Sequence, residues 1–429
     1  MPDIIFNNDG TITISVTIEL QGNMMEMENR ILDAVNKVGC AATGEALKRF
    51  DTNGSPIMMS GIKWTAKGQD AKKYQTPYGV VCCNRYVYQT SKGGRVFCPL
   101  EETAHTVLNA TPKFAQQVTH KYSQGDANSV CRDLAENHQR PLAKSSVQNI
   151  ADHVGSIACA TEESWEYVLP EMDAAITTIV FSLDGAYLRL VDEGFREAMV
   201  GSISLYDGDS KRHHTIYLGE APEYGKACFK QRYEHEIARV KATYPNALYL
   251  GIADGAKDNW TFLTPHTSRQ LLDFYHATDY LAQASEAVYP QKTGKAKPQQ
   301  WLSTRCSQLK HEENAAQTIL DELNAIVTTK LSTSVKADLA AAITYFSNNI
   351  AQGRMNYAQH LNDKLPIGSG VIEAACKTLV KQRLCGSGMR WKTTGAKVVI
   401  SLRALVQTKN RWQQFWDKIN QLGADFQLC

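Results

Sequence analysis

Apolar and polar residues alternate with period two through residues 11–20, TITISVTIEL, which predicts a strand. From 24 to 49 the period lengthens, with Met25, Ile31, Leu32 and Val35 at helical spacing, and a helix is expected. Two β-rich runs follow in TPYGVVCCNRYVYQTSKGGRVFCPLE, residues 76–101, joined as a hairpin at Lys92-Gly93-Gly94. Residues 112–158 then turn helical. Pro112 suits a first helical turn, where its missing N–H costs nothing. DANSVCRDLAENH, a short QRPLA link and KSSVQNIADHVGSIA predict two helices joined by a tight turn, the second capped by Ser145 or Ser146. In a helix-turn-helix this second helix would offer Ser146, Gln148, Asn149 and His153 to DNA, although any helical hairpin has the same outline.

A new pattern starts near 174. AITTIVFSLDGAYLRL, EAMVGSISLYD and RHHTIYLGE are three β-rich runs with short polar turns, and a helix follows over about 225–243. ALYLGIADGA reads as a buried strand, a short helix surrounds Trp260, and RQLLDFYHA supplies a fifth run ending at Asp273. Three strands, helix, strand, helix, strand is the order of a ribonuclease-H-like α/β sheet. Residues 277–363 are helical in pattern throughout, and Gly368 to Leu384 forms one more amphipathic helix. The expected fold is therefore an α/β ribonuclease-H-like catalytic core with an all-α insertion, preceded by a β-rich and a helical, helix-turn-helix-like region. The expected segments are 1–110 (α+β), 111–170 (helical, DNA-binding), 171–276 with 366–416 (catalytic), 277–365 (insertion) and 417–429 (tail).

Composition narrows the class. With 429 residues, 43% hydrophobic and 21% charged, the chain is ordinary globular protein with room for two or three domains. The N-terminus has no basic region followed by an apolar one, and no run of 18 apolar residues occurs, so a cytoplasmic protein without membrane association is expected. Eleven cysteines without a Cys-x-x-Cys pair suit neither a zinc ribbon nor a disulfide framework, and are expected as free thiols. The net charge of +2 conceals an asymmetry: from Ala374 to Trp416 there is no acid but nine basic residues, among them Lys377, Lys381, Arg383, Arg390 and Lys392. Such a stretch suits a polyanion. Lys72, Lys73, Arg85, Lys92 and Arg95 also make the predicted hairpin basic, which fits either DNA contact or a solvated surface.

Phosphodiester cleavage by two metals needs carboxylates that converge in space around ions about 3.5–4 Å apart. Asp184-Gly185 closes the first strand of the catalytic segment and Asp254-Gly255 the fourth. If those strands are parallel neighbours, both carboxylates emerge at one sheet edge. Glu373 then arrives from the helix after the insertion, with Lys377 and Lys381 one and two turns on along the same face. Asp207, Asp209, Asp192 and Glu193 read as hairpin turns, whereas Asp273, at the end of the fifth strand, is a competing acid. Lys397 and Arg403, beyond the Gly386-Ser387-Gly388 break, are expected to hold DNA further from the cut.

SLDGAYL, GIADGA, LDFYHATDYL and GSGVIEAACKTLVKQRLCGSGMRW together resemble bacterial insertion-sequence transposases of the Kra type, relatives of the Mutator-like group. YQTPYGVVCCNRYVYQTSKGGRVFCPLE and TPKFAQQV extend the likeness, which runs from about residue 50 to Trp416. The resemblance implies a DDE transposase whose catalytic and metal-binding acids are Asp184, Asp254 and Glu373. It implies two Mg²⁺ ions, with Mn²⁺ as substitute, and strand cleavage at transposon terminal repeats followed by transfer into target DNA. A homo-oligomer of a dimer or more, acting at the bacterial nucleoid, goes with that chemistry. Where relatives carry Cys-x-x-His after the second aspartate, this chain has Asp273 and His276, a pair left as accessory. Trp391, between Arg390 and Lys392, and Trp301 in the insertion are candidates for stacking on an unpaired base. Two other readings remain: a ribonuclease-H-like nuclease without strand transfer, and a transposase-derived regulator that binds DNA without cutting it.

Overall fold

The computed structural model describes residues 2–6, 10–289 and 296–423, and has two compact units: Met1–Tyr167 with Asn410–Cys429, and Val168–Lys409. Among the described residues no helix is long and apolar enough to cross a membrane.

In the first unit β1 (Asp3–Phe6) pairs antiparallel with β2 (Ile12–Ser15), a shorter strand than the alternation to residue 20 predicts. Helix α1 (Met24–Lys48) starts at Asn23, whose side chain accepts from Glu26 N–H at 3.0 Å while its amide donates to the Glu26 carboxylate at 2.9 Å. An antiparallel sheet follows in chain order: β3 (Ile57–Met59), β4 (Ile62–Gln75), β5 (Val80–Thr90) and β6 (Gly93–Phe97). The turn between β5 and β6 falls on Ser91-Lys92, ahead of the two glycines. Of the basic residues in this region, Arg85 is buried against Tyr74 and Glu101, and Lys72 bonds Glu101 at 2.6 Å, so these two serve the fold. After α2 (Pro99–Thr103) come α3 (Pro112–Gln124), α4 (Ala127–His138) and α5 (Lys144–Thr161). Helix α5 begins one residue before Ser145, with Ala143 at its cap, so neither serine caps it. On it Gln148 is half-buried and Asn149 exposed.

The second unit is built on a five-stranded sheet. Strands β7 (Ile176–Leu190), β8 (Gly194–Asp207) and β9 (Arg212–Glu220) form an antiparallel meander. After α6 (Ala227–Thr243), β10 (Leu248–Ala253) lies parallel to β7 on its other side; after α7 (Lys257–Leu263), β11 (Arg269–Leu272) lies parallel to β10. The order is β9-β8-β7-β10-β11. Residues 178–183 of β7 are all buried, because both sheet faces are covered; the in-out alternation returns only after Ala186. Tyr233 of α6 is fully buried beneath this stretch, with its hydroxyl 2.7 Å from the Ser202 carbonyl and accepting from Ser182 N–H at 3.0 Å. It fixes the β7–β8 pair just before Asp184.

Among the described residues, five helices occupy the interval after β11: α8 (Phe274–Val288), α9 (Ala296–His311), α10 (Ala315–Asn324), α11 (Thr333–Ala351) and α12 (Tyr357–Asn362). The chain returns as α13 (Gly370–Ala375), a π-helical stretch Cys376–Lys381 and α14 (Gln382–Leu384), then α15 (Thr393–Gln407). The last helix, α16 (Arg411–Leu422), belongs to the first unit and buries Phe415, Trp416 and Ile419, with Phe415 5.6 Å from Trp165. Residues 411–416 thus belong to the first unit, whereas the segment 366–409 with which the sequence pattern groups them belongs to the second. The tail expected at 417–429 is helical up to Leu422, and residues 424–429 lie outside those described.

Candidate active site

Asp184 lies in the middle of β7, paired with Val200 of β8; the strand does not end at Gly185 as the Asp-Gly pair predicts. Asp254, by contrast, directly follows β10. The parallel register sets Phe181 beside Gly251, and carried three residues further on each strand it sets Asp184 beside Asp254. The Asp254 loop is held from within: its Oδ1 accepts from Ala256 N–H at 3.1 Å and from the Asn259 amide at 2.9 Å. That same amide lies 3.4 Å from the Leu183 carbonyl, which ties the loop to β7 next to Asp184. Gly255 is needed for close approach: a Cβ there would come within 2.2 Å of the Tyr345 ring. Tyr345 in turn stacks on Tyr280 with centroids 3.8 Å apart.

Glu373 is delivered by α13, and Asp273 sets where α13 begins. Asp273 is completely buried; one oxygen accepts from His276 N–H at 2.8 Å as the cap of α8, and the other from Ser369 N–H just ahead of α13. Ligand atoms of Asp273, His276 and Glu373 all lie within 4.8 Å of one another. A cleft of about 980 Å³ brings together Asp184, His276, Asp279, Glu373, Lys377 and Lys381. Cys376, almost fully buried, also lines it, with its thiol 3.5 Å from Asp184 Oδ2.

The electrostatics are those of crowded like charges. Burial pushes the Asp184 carboxyl above its ordinary range and the charge of Asp254 adds to this, against the opposing Gly185 N–H and Cys376 hydrogen bonds. Glu373 is likewise raised, first by burial and then by Asp273. Burial and Asp184 push the Cys376 thiol up, so it sits there as a neutral donor. A cleft that holds carboxylates at this cost is favourable where cations offset the repulsion.

No family model matches the chain, and no curated protein matches it. Among solved structures, one of a simian T-cell lymphotropic virus intasome in complex with PP2A regulatory subunit B56 gamma shares 8% identity over 53% of this chain. This chain spans 66% of that one, just under two thirds, with a TM-score of 0.16, too low to carry an argument.

The basic residues that look equivalent in sequence divide by environment. Lys377 and Lys381 are exposed in the cleft, and Arg390 and Lys392 are exposed on the segment leading to α15. Arg383 is buried beneath the Trp391 ring, 5.2 Å from its centroid, and is not presented to a phosphate. Trp391 donates its indole N–H to the Leu384 carbonyl at 2.9 Å and bridges by its backbone to Leu190, so packing and not base stacking fixes it. Trp301 is likewise core: 6% exposed, it donates to Glu322 at 2.9 Å. Arg403 is buried, donating to the Thr378 and Leu379 carbonyls at 2.9 and 3.0 Å, and Lys397 lies 3.5 Å from Glu220. Arg403 is thus committed to the fold, whereas Lys397 is half-buried beside Glu220. Sequence reasoning passes over Asp279, Tyr275 and Cys376. Asp279 had a signal, since it follows Asp273 and His276 at three-residue spacing on one face of α8.

Proposed function

We propose that the second unit is a ribonuclease-H-like catalytic core and that the chain is a DDE-type DNA transposase, as the resemblance to Kra-type insertion-sequence enzymes implies. One observation carries the reading: Asp184 shares a cleft with Glu373 and two exposed lysines, while the register sets Asp254 at its side. The strand order β9-β8-β7-β10-β11, with three antiparallel strands followed by two parallel ones, supports it, as does the helical insertion ahead of the Glu373 helix. The donors fit Mg²⁺ or Mn²⁺, since carboxylate oxygens suit hard cations and the raised Asp184 and Glu373 gain when a cation neutralises them. Asp184, Asp254 and Glu373 would hold two such ions; Asp273 has both oxygens committed to backbone N–H groups and serves as support. When bound, the ions supply an activated water or 3′-hydroxyl and stabilise the leaving 3′ oxygen.

The chain's own residues do the rest. Lys377 and Lys381 hold phosphates beside the scissile bond, and Cys376 and Gly185 orient Asp184 by hydrogen bonds. His276 stands within ligand distance of Glu373 and steadies that edge of the cleft. Gln148 and Asn149 on α5 read the terminal repeat. Work on paired DNA ends implies a homo-oligomer acting at the nucleoid, in the cytoplasm. A nuclease that cuts without joining shares every feature of the cleft, so the test must score joining. Labelled duplexes ending in the element's terminal repeats, incubated with the chain, Mg²⁺ and a target plasmid, should become covalently joined to the plasmid. Cutting without joining selects the nuclease; neither cutting nor joining by folded protein in Mg²⁺ or Mn²⁺ overturns the catalytic reading.

A further inference from the structure

Adjoining the acidic cleft, with Tyr275 and Gly370 in both walls, is a second cavity of about 500 Å³. That volume is within the roughly 300–1,000 Å³ typical of small-ligand sites. Its chemistry is the reverse of its neighbour's. Arg212 and Tyr217 come from β9, Phe274 and Tyr275 from the first turn of α8, and Lys310 from α9; among the described residues no acid lines it. Two cations and three aromatic rings therefore face a space that opens beside the carboxylates.

Tyr275 stands at the boundary of the two. It is 60% exposed, yet its ring is braced: a Cβ on Gly368 would come within 3.2 Å of it, and Phe274 packs edge-on with centroids 5.9 Å apart. An aromatic ring held in position without being covered presents a face for stacking. A base inside a duplex has both faces occupied, so only one turned out of the helix can take that face.

We propose that this cavity is a subsite for one unpaired nucleotide next to the scissile phosphate, its base stacked on Tyr275 and its phosphates met by Arg212 and Lys310. Phe274 and Tyr217 form the apolar wall behind the base. The proposal rests on the DNA-cleaving reading above and adds to it that the strand is unpaired where it is cut.

The test uses the full chain in Ca²⁺, a hard cation for the same oxygen donors, and two duplexes identical except that one carries a single unpaired 2-aminopurine. The parent should bind the bulged duplex more tightly and quench its 2-aminopurine. Tyr275→Ala should lose between about fivefold and a hundredfold in affinity for the bulged duplex, together with the quenching, and much less for the paired one. Tyr275→Phe should keep both properties, and the Arg212→Gln, Lys310→Gln variant should weaken the bulged duplex more than the paired one. Equal losses for the two duplexes, or undiminished quenching by Tyr275→Ala, overturn the subsite while leaving the DNA reading intact. Failure of the folded parent to bind either duplex overturns both.

Discussion

Arg403 offers a sharp test of how the Glu373 helix is aimed. Between Cys376 and Lys381 that helix is π-helical. In an α-helix residues four apart drift by about 40° round the axis; a π turn holds more residues and removes this lead, which keeps Lys377 and Lys381 in the cleft with Glu373. Arg403 grips the carbonyls of Thr378 and Leu379, and Gln407 adds a bond to Thr378 at 3.1 Å. Burial first, and Arg383 second, pull the Arg403 pKa down from its ordinary value to about 10, so the charged form costs about 3 kcal/mol. Its charge-assisted hydrogen bonds to these two carbonyls, at about 1.5–3 kcal/mol for each carbonyl, repay roughly 3–6 kcal/mol. Arg403→Met removes cost and gain together, and should lower stability by only about 0–3 kcal/mol. Its effect on the cleft should be larger, because the π turn loses its clamp. Urea unfolding gives the first quantity and Mn²⁺ titration of the metal-free protein the second. The expected result is a modest stability loss with clearly weaker Mn²⁺ binding. Unchanged Mn²⁺ affinity, whatever the stability, would refute the argument that Arg403 positions Glu373.

Three further outcomes follow from the same geometry. The raised Asp184 carboxyl contributes stability that is present at acid pH and lost as pH rises through its folded pKa, so metal-free Asp184→Asn should melt higher than the parent at neutral pH. Each 1 kcal/mol of relief is about 2–4 °C by calorimetry, and Mg²⁺ should stabilise the parent but not the variant. Asp273→Asn turns an amide donor towards one of two backbone N–H groups and should cost about 1–3 kcal/mol in urea, yet retain measurable cleavage well below its melting temperature. Lys377→Gln with Lys381→Gln should flatten the salt dependence of duplex binding by roughly 0.9 per lost phosphate contact and also lower the single-turnover rate at saturating DNA; an unchanged rate would place both lysines outside the site.

What could be read in the chain depended on whether a residue's neighbours lie close in sequence. The strands of the second unit, the helical interval after Asp273 and the Glu373-Lys377-Lys381 stripe are local patterns, and they are legible. Strand ends are not, because pairing decides them: β7 continues past Gly185 since β8 runs alongside as far as Gly194. Strand β4 escaped notice because polar residues fill most of its length and a bulge between Ala66 and Gly68 breaks the alternation. Arg383, Arg403, Lys377 and Lys381 carry the same charge within 27 positions of chain, yet two are buried against carbonyls or an indole and two face the cleft. Trp301 owes its place to Glu322, on the next helix. The π turn has no sequence signature; only its buried arginine betrays it.

Under the proposed function Asp184, Asp254 and Glu373 act together on a DNA phosphodiester through divalent metal. Single-turnover cleavage of a duplex carrying the element's end, in Mg²⁺ and in Mn²⁺, tests it most directly when the parent is run beside Asp184→Asn, Asp254→Asn and Glu373→Gln. Each exchange removes a metal ligand with little change of shape, so cleavage should vanish in all three while duplex binding stays almost intact. Full-rate cleavage by any of the three, or cleavage by the parent that persists in a chelator, would rule out a metal site built from these three acids.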